Sequence, residues 1–180
     1  SALQAFDEAS KNGKLNPKIR RQAVFQKGWV LYRNQAFKDA RNNFEEVYRS
    51  SAVDTISAEA LFWSADCSFQ LEDYDRAASE FRLFIEKYPN HEFNGAAVYS
   101  LGWSHFMRAD YEPAAEYLEN FLTSYEAPPI AIFPYDTDTQ LRLGDAWFAL
   151  GKYEKAQSFY AKAIGAEPGG DYAMYQIANC

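Results

Sequence analysis

The sequence is poor in the residues that carry most enzyme chemistry. Its 180 residues include two histidines, His91 and His105, and two cysteines, Cys67 and Cys180. No HExxH, GxSxG or CxxC pattern occurs, so zinc-hydrolase, serine-hydrolase and dithiol redox sites have no basis in it. The stretch from Gly144 to Lys152 ends in Gly-Lys, but its spacing is wrong for a phosphate loop. Tyr153 also stands where that loop needs Ser or Thr. Positive charge is scarce as well: 18 Lys and Arg face 25 Asp and Glu, a net charge of −7. That balance argues against nucleic acid as a partner, because phosphate binding needs a basic face. No apolar run approaches the ~20 residues of a membrane-spanning helix. These absences exclude a cofactor or a metal from the reading and leave a non-catalytic protein.

Rings are what the sequence has in quantity. Aromatic residues make up 17% of the chain within an apolar share of 48%, and 24% of residues are charged. This is a globular balance, and so many rings need either a core or a binding surface.

The rings recur in register. Taking Gly28 as position 0, Phe37 lies at +9, Ala40 at +12, Phe44 at +16 and Val47 at +19. From Ala65 the same steps reach Tyr74, Ala77, Phe81 and Phe84. From Gly102 they reach Tyr111, Ala114, Leu118 and Phe121, and from Gly144 they reach Tyr153, Ala156, Tyr160 and Ala163. Pro89 and Pro168 close the second and fourth units at equal offset. Such a period predicts an all-α chain of antiparallel helix hairpins, with hairpins at 17–50, 54–88, 92–125 and 136–167. The small residue at 0 permits close helix crossing, and the Ala at +12 offers a matching flat spot. The large residue at +16, one turn further on, is expected to fill the space between hairpins.

The pattern resembles the tetratricopeptide repeat, best in 140–168 (QLRLGDAWFALGKYEKAQSFYAKAIGAEP), and the resemblance covers essentially the whole chain. The middle units, ALFWSADCSFQLEDYDRAASEFRLFIEKYPN and AAVYSLGWSHFMRADYEPAAEYLENFL, are similar to bacterial cell-envelope versions. Those occur in outer-membrane assembly lipoproteins and the Tol-associated periplasmic protein. The resemblance thus implies an α-α superhelix acting as a protein-binding scaffold, with a periplasmic or envelope location. The small residues here are 37, 37 and 42 apart, against about 34 in the family, which places extra residues in turns between units.

Both ends fit the same register. Ala2, Phe6 and Ala9 repeat the spacing of Ala156, Tyr160 and Ala163, so 2–14 reads as the second helix of a hairpin. Residues 173–180 align with 60–67, so 170–180 reads as a first helix. The whole is expected to be a piece of a longer solenoid. Cys67 and Cys180 fall at equivalent places three units apart, too far for a disulfide, and read as small packing residues. His105, where other units carry Leu31, Ser68 and Trp147, also reads as a packing position. Asp136-Thr-Asp138 suits a helix start better than a cation site, since no further ligands follow at calcium-loop spacing. The Glu-rich stretches read as solvated helix faces.

In the architecture that the resemblance implies, the first helix of each hairpin lines the concave side. Its exposed places are expected at −3, +1 and +4, with −6 and +5 more marginal. They carry Phe25, Trp29, Tyr32 and Arg33 in the first unit, and Phe62, Asp66, Phe69 and Gln70 in the second. The third has Tyr99, Trp103, Phe106 and Met107, and the fourth Leu141, Asp145 and Phe148. Two readings of this stripe stand. The rings are core, or they form an apolar groove for an amphipathic helix or extended peptide of neutral or basic character. A sugar-binding face and a spacer whose groove is filled by its own chain are the alternatives. The Pro-rich 127–135 stretch either folds back onto the stack or adds to a partner surface.

Overall fold

The computed structural model describes residues 1–50, 54–124, 135–166 and 169–180. The Pro-rich stretch up to residue 134, and Pro168, lie outside them. The described residues form ten α-helices and no strand. In chain order these are α1 (Ala2–Lys11), α2 (Pro17–Arg33), α3 (Phe37–Tyr48), α4 (Thr55–Gln70) and α5 (Tyr74–Lys87). Then come α6 (Asn94–Met107), α7 (Tyr111–Ser124), α8 (Tyr135–Ala149), α9 (Tyr153–Ala163) and α10 (Gly170–Asn179). The fold class expected from the period is the one observed. Contacts divide the chain into two compact units, residues 1–97 and 98–180, with the division inside α6.

Local signals account for the helix ends. Asn16 caps α2 by accepting from the Lys18 N–H, and Pro17 occupies the first turn, where its missing donor costs nothing. Asp54 caps α4 through the Ser57 N–H at 2.9 Å. At the other end of each first helix, position +7 is left-handed: Gln35, Glu72, Ala109 and Gly151 have φ of 60°, 60°, 61° and 70°. The N–H at +7 bonds the carbonyl at +4 and the N–H at +8 bonds the carbonyl at +3. In the first hairpin these are Gln35 to Tyr32 at 2.8 Å and Ala36 to Leu31 at 3.0 Å. This Schellman closure, repeated in all four hairpins, sets the turn that lets the second helix fold back.

The small residues work differently from the sequence expectation. For Gly28, Gly102 and Gly144 the nearest partner is the large residue at +16 of the same hairpin, and at Gly102 the Ala at +12 also comes close, its carbonyl oxygen 3.3 Å from where a Cβ would sit. A Cβ on Gly28 would sit 2.8 Å from Phe44 Cε1, and one on Gly102 would sit 2.9 Å from Leu118 Cγ. One on Gly144 would overlap the Tyr160 ring. The large residue therefore lies over the small one and closes its own hairpin, because a ring can reach the opposing backbone only where no side chain stands. Phe44, Phe81, Leu118 and Tyr160 are all completely buried.

One acidic residue departs from the solvated-face expectation. Glu80 is buried in the N-terminal unit, where Oε1 accepts from Tyr48, Ser64 and Arg76 and Oε2 accepts from Ser68 at 2.9 Å. Arg76 continues the network to Glu45 at 2.7 Å. A buried carboxylate persists only with its acceptors this fully used. The N-terminal unit is also tied by Arg21, whose two terminal nitrogens reach the two oxygens of Asp54 at 2.7 and 2.8 Å. This pair holds the Asp54 carboxyl well below the usual range.

Candidate functional site

The aromatic stripe is not uniformly open. At −3, Phe25, Phe62 and Tyr99 are buried, against the expectation that they face outward. Each lies one turn ahead of the small residue and so turns onto the second helix. Phe25 packs on Phe44 at 5.7 Å between ring centres, Phe62 on Phe81 at 5.6 Å, and Tyr99 on Phe121 at 5.6 Å. Leu141, at the same place in the fourth hairpin, is half-buried.

Rings at +4 are committed to the turn. Tyr32 meets Phe37 at 5.4 Å, Phe69 meets Tyr74 at 5.2 Å, Phe106 meets Tyr111 at 5.3 Å and Phe148 meets Tyr153 at 5.3 Å. All four pairs are edge-on, with interplanar angles between 64° and 71°, the geometry that ring quadrupoles favour. The aromatic at +9 thus belongs to the Schellman turn and holds the +4 ring half-buried against it. At +5, Arg33, Gln70 and Met107 are exposed.

Position +1 remains, with Trp29, Asp66, Trp103 and Asp145 all half-buried. In the N-terminal unit Trp29 packs against Trp63 at 4.4 Å and Tyr32 at 5.6 Å, and Tyr32 meets Trp63 at 5.3 Å. The Tyr32 hydroxyl donates to Asp66 Oδ2 at 2.6 Å. Burial pushes the Asp66 carboxyl above its ordinary range, opposed by hydrogen bonds from Tyr32 and Gln70. Burial and the Asp66 charge together hold the Tyr32 hydroxyl protonated. The indole N–H of Trp63 is buried without a hydrogen-bond partner.

In the C-terminal unit, the Arg142 guanidinium carbon lies 3.1 Å from the centre of the Trp103 ring, a cation–π contact. Trp103 stacks on Phe106 at 5.1 Å and 15°. Arg142 Nε also donates to Asp138 and, at 3.1 Å, to the Tyr99 hydroxyl, which itself donates to Asp138. Asp138 lies in the first turn of α8, as a helix-start acid should, but its carboxylate serves this cluster. Asp145 Oδ1 accepts from both Tyr160 and Tyr172 at 2.7 Å, joining α8 to α9 and α10. Its carboxyl, too, is raised by burial, which outweighs the two tyrosine hydrogen bonds.

Sequence reasoning missed Trp63 and Arg142. Both stand at −2, and in each unit that residue packs against the +1 tryptophan of the preceding hairpin. The three-residue offset from −2 to +1 was the available signal, since residues three apart share a helix face.

Groups with catalytic potential are occupied otherwise. His105 is buried, stacked on Tyr117 at 5.5 Å and 3.4 Å from Asp110. His91 Nδ1 accepts from the Phe93 N–H at 3.1 Å. Cys67 and Cys180 are both free thiols, and burial pushes Cys67 up to about 12, leaving it no thiolate at neutral pH. Among the described residues, no helix is long and apolar enough to cross a membrane.

A family model described as tetratricopeptide repeat matches residues 25–92 and 99–171. Solved structures of MamA are similar to the chain. MamA from AMB-1 is 19% identical over 90% of this chain and 81% of that one, with a TM-score of 0.72. A second MamA crystal structure is 17% identical over 99% and 90%, with a TM-score of 0.71. MamA from residue 41 onward, of Desulfovibrio magneticus RS-1, is 19% identical over 88% and 92%, with a TM-score of 0.70. At these identities the likeness is one of fold. No curated protein matches the chain.

Proposed function

Because the chain belongs to the tetratricopeptide repeat family, a family of generally non-catalytic interaction scaffolds, we propose that it binds a polypeptide through the +1 residues of its hairpins and their neighbours. The observation that carries this reading is the state of Trp29 and Trp103. Both are large rings held in place by packing, and both are half-buried. Rigid aromatic anchors with a few polar neighbours suit hot-spot recognition of an amphipathic helix or an extended peptide. Exposed Arg33 and Met107 follow the tryptophans by four residues, one turn along the same helices, and the net charge of −7 favours a neutral or basic ligand.

The buried rings Phe25, Phe62 and Tyr99 support the scaffold from beneath. Tyr32, Phe69, Phe106 and Phe148 contribute only the edges that their turn partners leave open. Asp66 and Asp145 each already accept from tyrosine hydroxyls through one carboxylate oxygen, which leaves fewer acceptors for a sugar-binding face and weighs against the carbohydrate alternative. A bacterial envelope location rests on the resemblance of the middle units alone.

The test is affinity capture with the intact chain and with Trp29→Ala and Trp103→Ala, followed by affinity measurement on the captured polypeptide. A hot-spot ring is worth about 2 kcal/mol or more, so each substitution should weaken binding at least ~30-fold while the melting curve stays cooperative. Equal affinity in both variants would overturn the reading, as would binding to glycans in place of polypeptide.

A further inference from the structure

Asp66 differs from most partly buried acids of the N-terminal unit in what it lacks. Asp7, Glu45, Asp54, Asp73 and Glu80 each meet a lysine or arginine within 3.2 Å. Asp66 meets none among the described residues; it is held by the Tyr32 hydroxyl at 2.6 Å and by the Gln70 side chain. Arg33, exposed on α2, pairs with no acid among them either. Glu59, seven residues earlier on α4, also lacks a lysine or arginine, but the charge of His91 acts on it. A carboxylate taken out of water without a cation keeps an unmet demand for positive charge, and burial is what raises the Asp66 carboxyl. In the C-terminal unit the equivalent Asp145 has Arg142 acting against that rise.

We propose that Asp66 and Trp29 together hold a basic side chain of the bound polypeptide, an inference that rests on the polypeptide-binding role proposed above. Both residues stand at +1, on α4 and α2, and both are half-buried. Tyr32 joins them: its ring lies 5.6 Å from that of Trp29, and its hydroxyl donates to Asp66 Oδ2. Trp63 backs Trp29 at 4.4 Å and fixes the indole. Tyr32 uses one acceptor site of Asp66, and a carboxylate offers about four, which leaves room for an ammonium or guanidinium group. The face of an indole attracts the same cation through its quadrupole. Folding has already taken water from the carboxylate, so an arriving cation meets an acceptor with little hydration left to lose. The net charge of −7 draws a basic ligand toward the chain. An acidic side chain at this place meets the Asp66 charge and is rejected.

The test titrates the full chain at neutral pH with butylguanidinium, which carries the arginine head group, and with butylurea, its neutral counterpart of the same shape. Binding is read by nuclear magnetic resonance at the Trp29 indole N–H and the Asp66 carboxyl carbon. Both signals should shift saturably with butylguanidinium, and butylurea should bind about 10-fold more weakly or less, the difference a charged hydrogen bond makes. Asp66→Asn, which keeps an acceptor for Tyr32, should abolish that preference, and Trp29→Phe should reduce it. If Asp66→Asn fails to fold, the comparison of the two probes on the unaltered chain decides alone. Equal binding of both probes, no shift at either residue, or an undiminished preference in a folded Asp66→Asn chain overturns the proposal. Polypeptide capture that depends on Trp29 without any preference for butylguanidinium removes this inference and leaves the binding role standing. A preference for butylguanidinium with no polypeptide captured upholds the cation site and removes the binding role instead.

Discussion

Tyr32 of α2 donates its hydroxyl to Asp66 of α4 at 2.6 Å, so the first hairpin is fastened to the second by a half-buried carboxylate. Burial raises the folded-state value of that carboxyl above the unfolded 3.8. The folded protein therefore holds the proton more tightly, and stability gains as pH falls through the folded value toward 3.8. With Asp66→Asn as the reference, the unaltered chain should become relatively more stable across that window in urea titrations at stepped pH. A constant or shrinking difference would contradict the assignment.

Asp54 should behave in the opposite sense. Hydrogen bonding from Arg21 lowers its folded value below 3.8, so its contribution is complete above 3.8 and is lost as pH falls further. Asp54→Ala removes both the α4 cap and the Arg21 partner. The cap alone predicts a loss of about 1 kcal/mol, read at neutral pH by denaturant midpoint and shrinking in acid.

The left-handed +7 positions predict which turns are strained. Ala109, at φ 61°, has a Cβ where glycine would have none, a conformation that costs about 1 kcal/mol. Ala109→Gly should raise the melting temperature, and Gly151→Ala, at φ 70°, should lower it. Identical shifts in both variants would refute the turn geometry.

Glycine at position 0 should be least replaceable where the ring above it is stiffest. Gly144→Ala must displace the completely buried Tyr160 ring, whereas Gly102→Ala meets the aliphatic Leu118 side chain and the Ala114 carbonyl at longer distances. Overpacking costs about 1–3 kcal/mol, and the Gly144 variant should lie at the upper end. Tyr160→Leu in the same chain should relieve part of that loss, and additive losses in the double variant would exclude the contact.

Glu80→Ala leaves Ser64 and Ser68 buried without their shared acceptor and Arg76 with only Glu45. Breaking a buried network of this kind costs about 3 kcal/mol, measurable by calorimetry. A loss near that of a surface glutamate would show the carboxylate to be solvated.

The helices, their order and their hairpin pairing were legible because the repeat writes them in spacing. Gly28 and Phe44, Gly102 and Leu118, and Gly144 and Tyr160 are each sixteen positions apart, a small residue and the large one over it, and that distance is dictated by two helices and one turn. The closing +9 aromatic was legible as a recurrence, but its partner at +4 was not, because Tyr32 and Phe37 meet only after the left-handed residue between them reverses the chain.

The site was legible in composition and not in exposure. A sequence period says which residues share a helix face, and it placed Phe25, Trp29 and Tyr32 on one stripe. Which of them stays open depends on the neighbouring helix, whose angle and closeness belong to the tertiary structure. Packing buried Phe25 on Phe44, pressed Tyr32 onto Phe37 and Trp63, and left Trp29 half-open. It likewise set Arg142 over Trp103 and drew Glu80 inside. Local spacing determined the repeat, because helix geometry is local. Only the assembled helices decided what each ring faces, because burial is a property of contacts between segments distant in sequence.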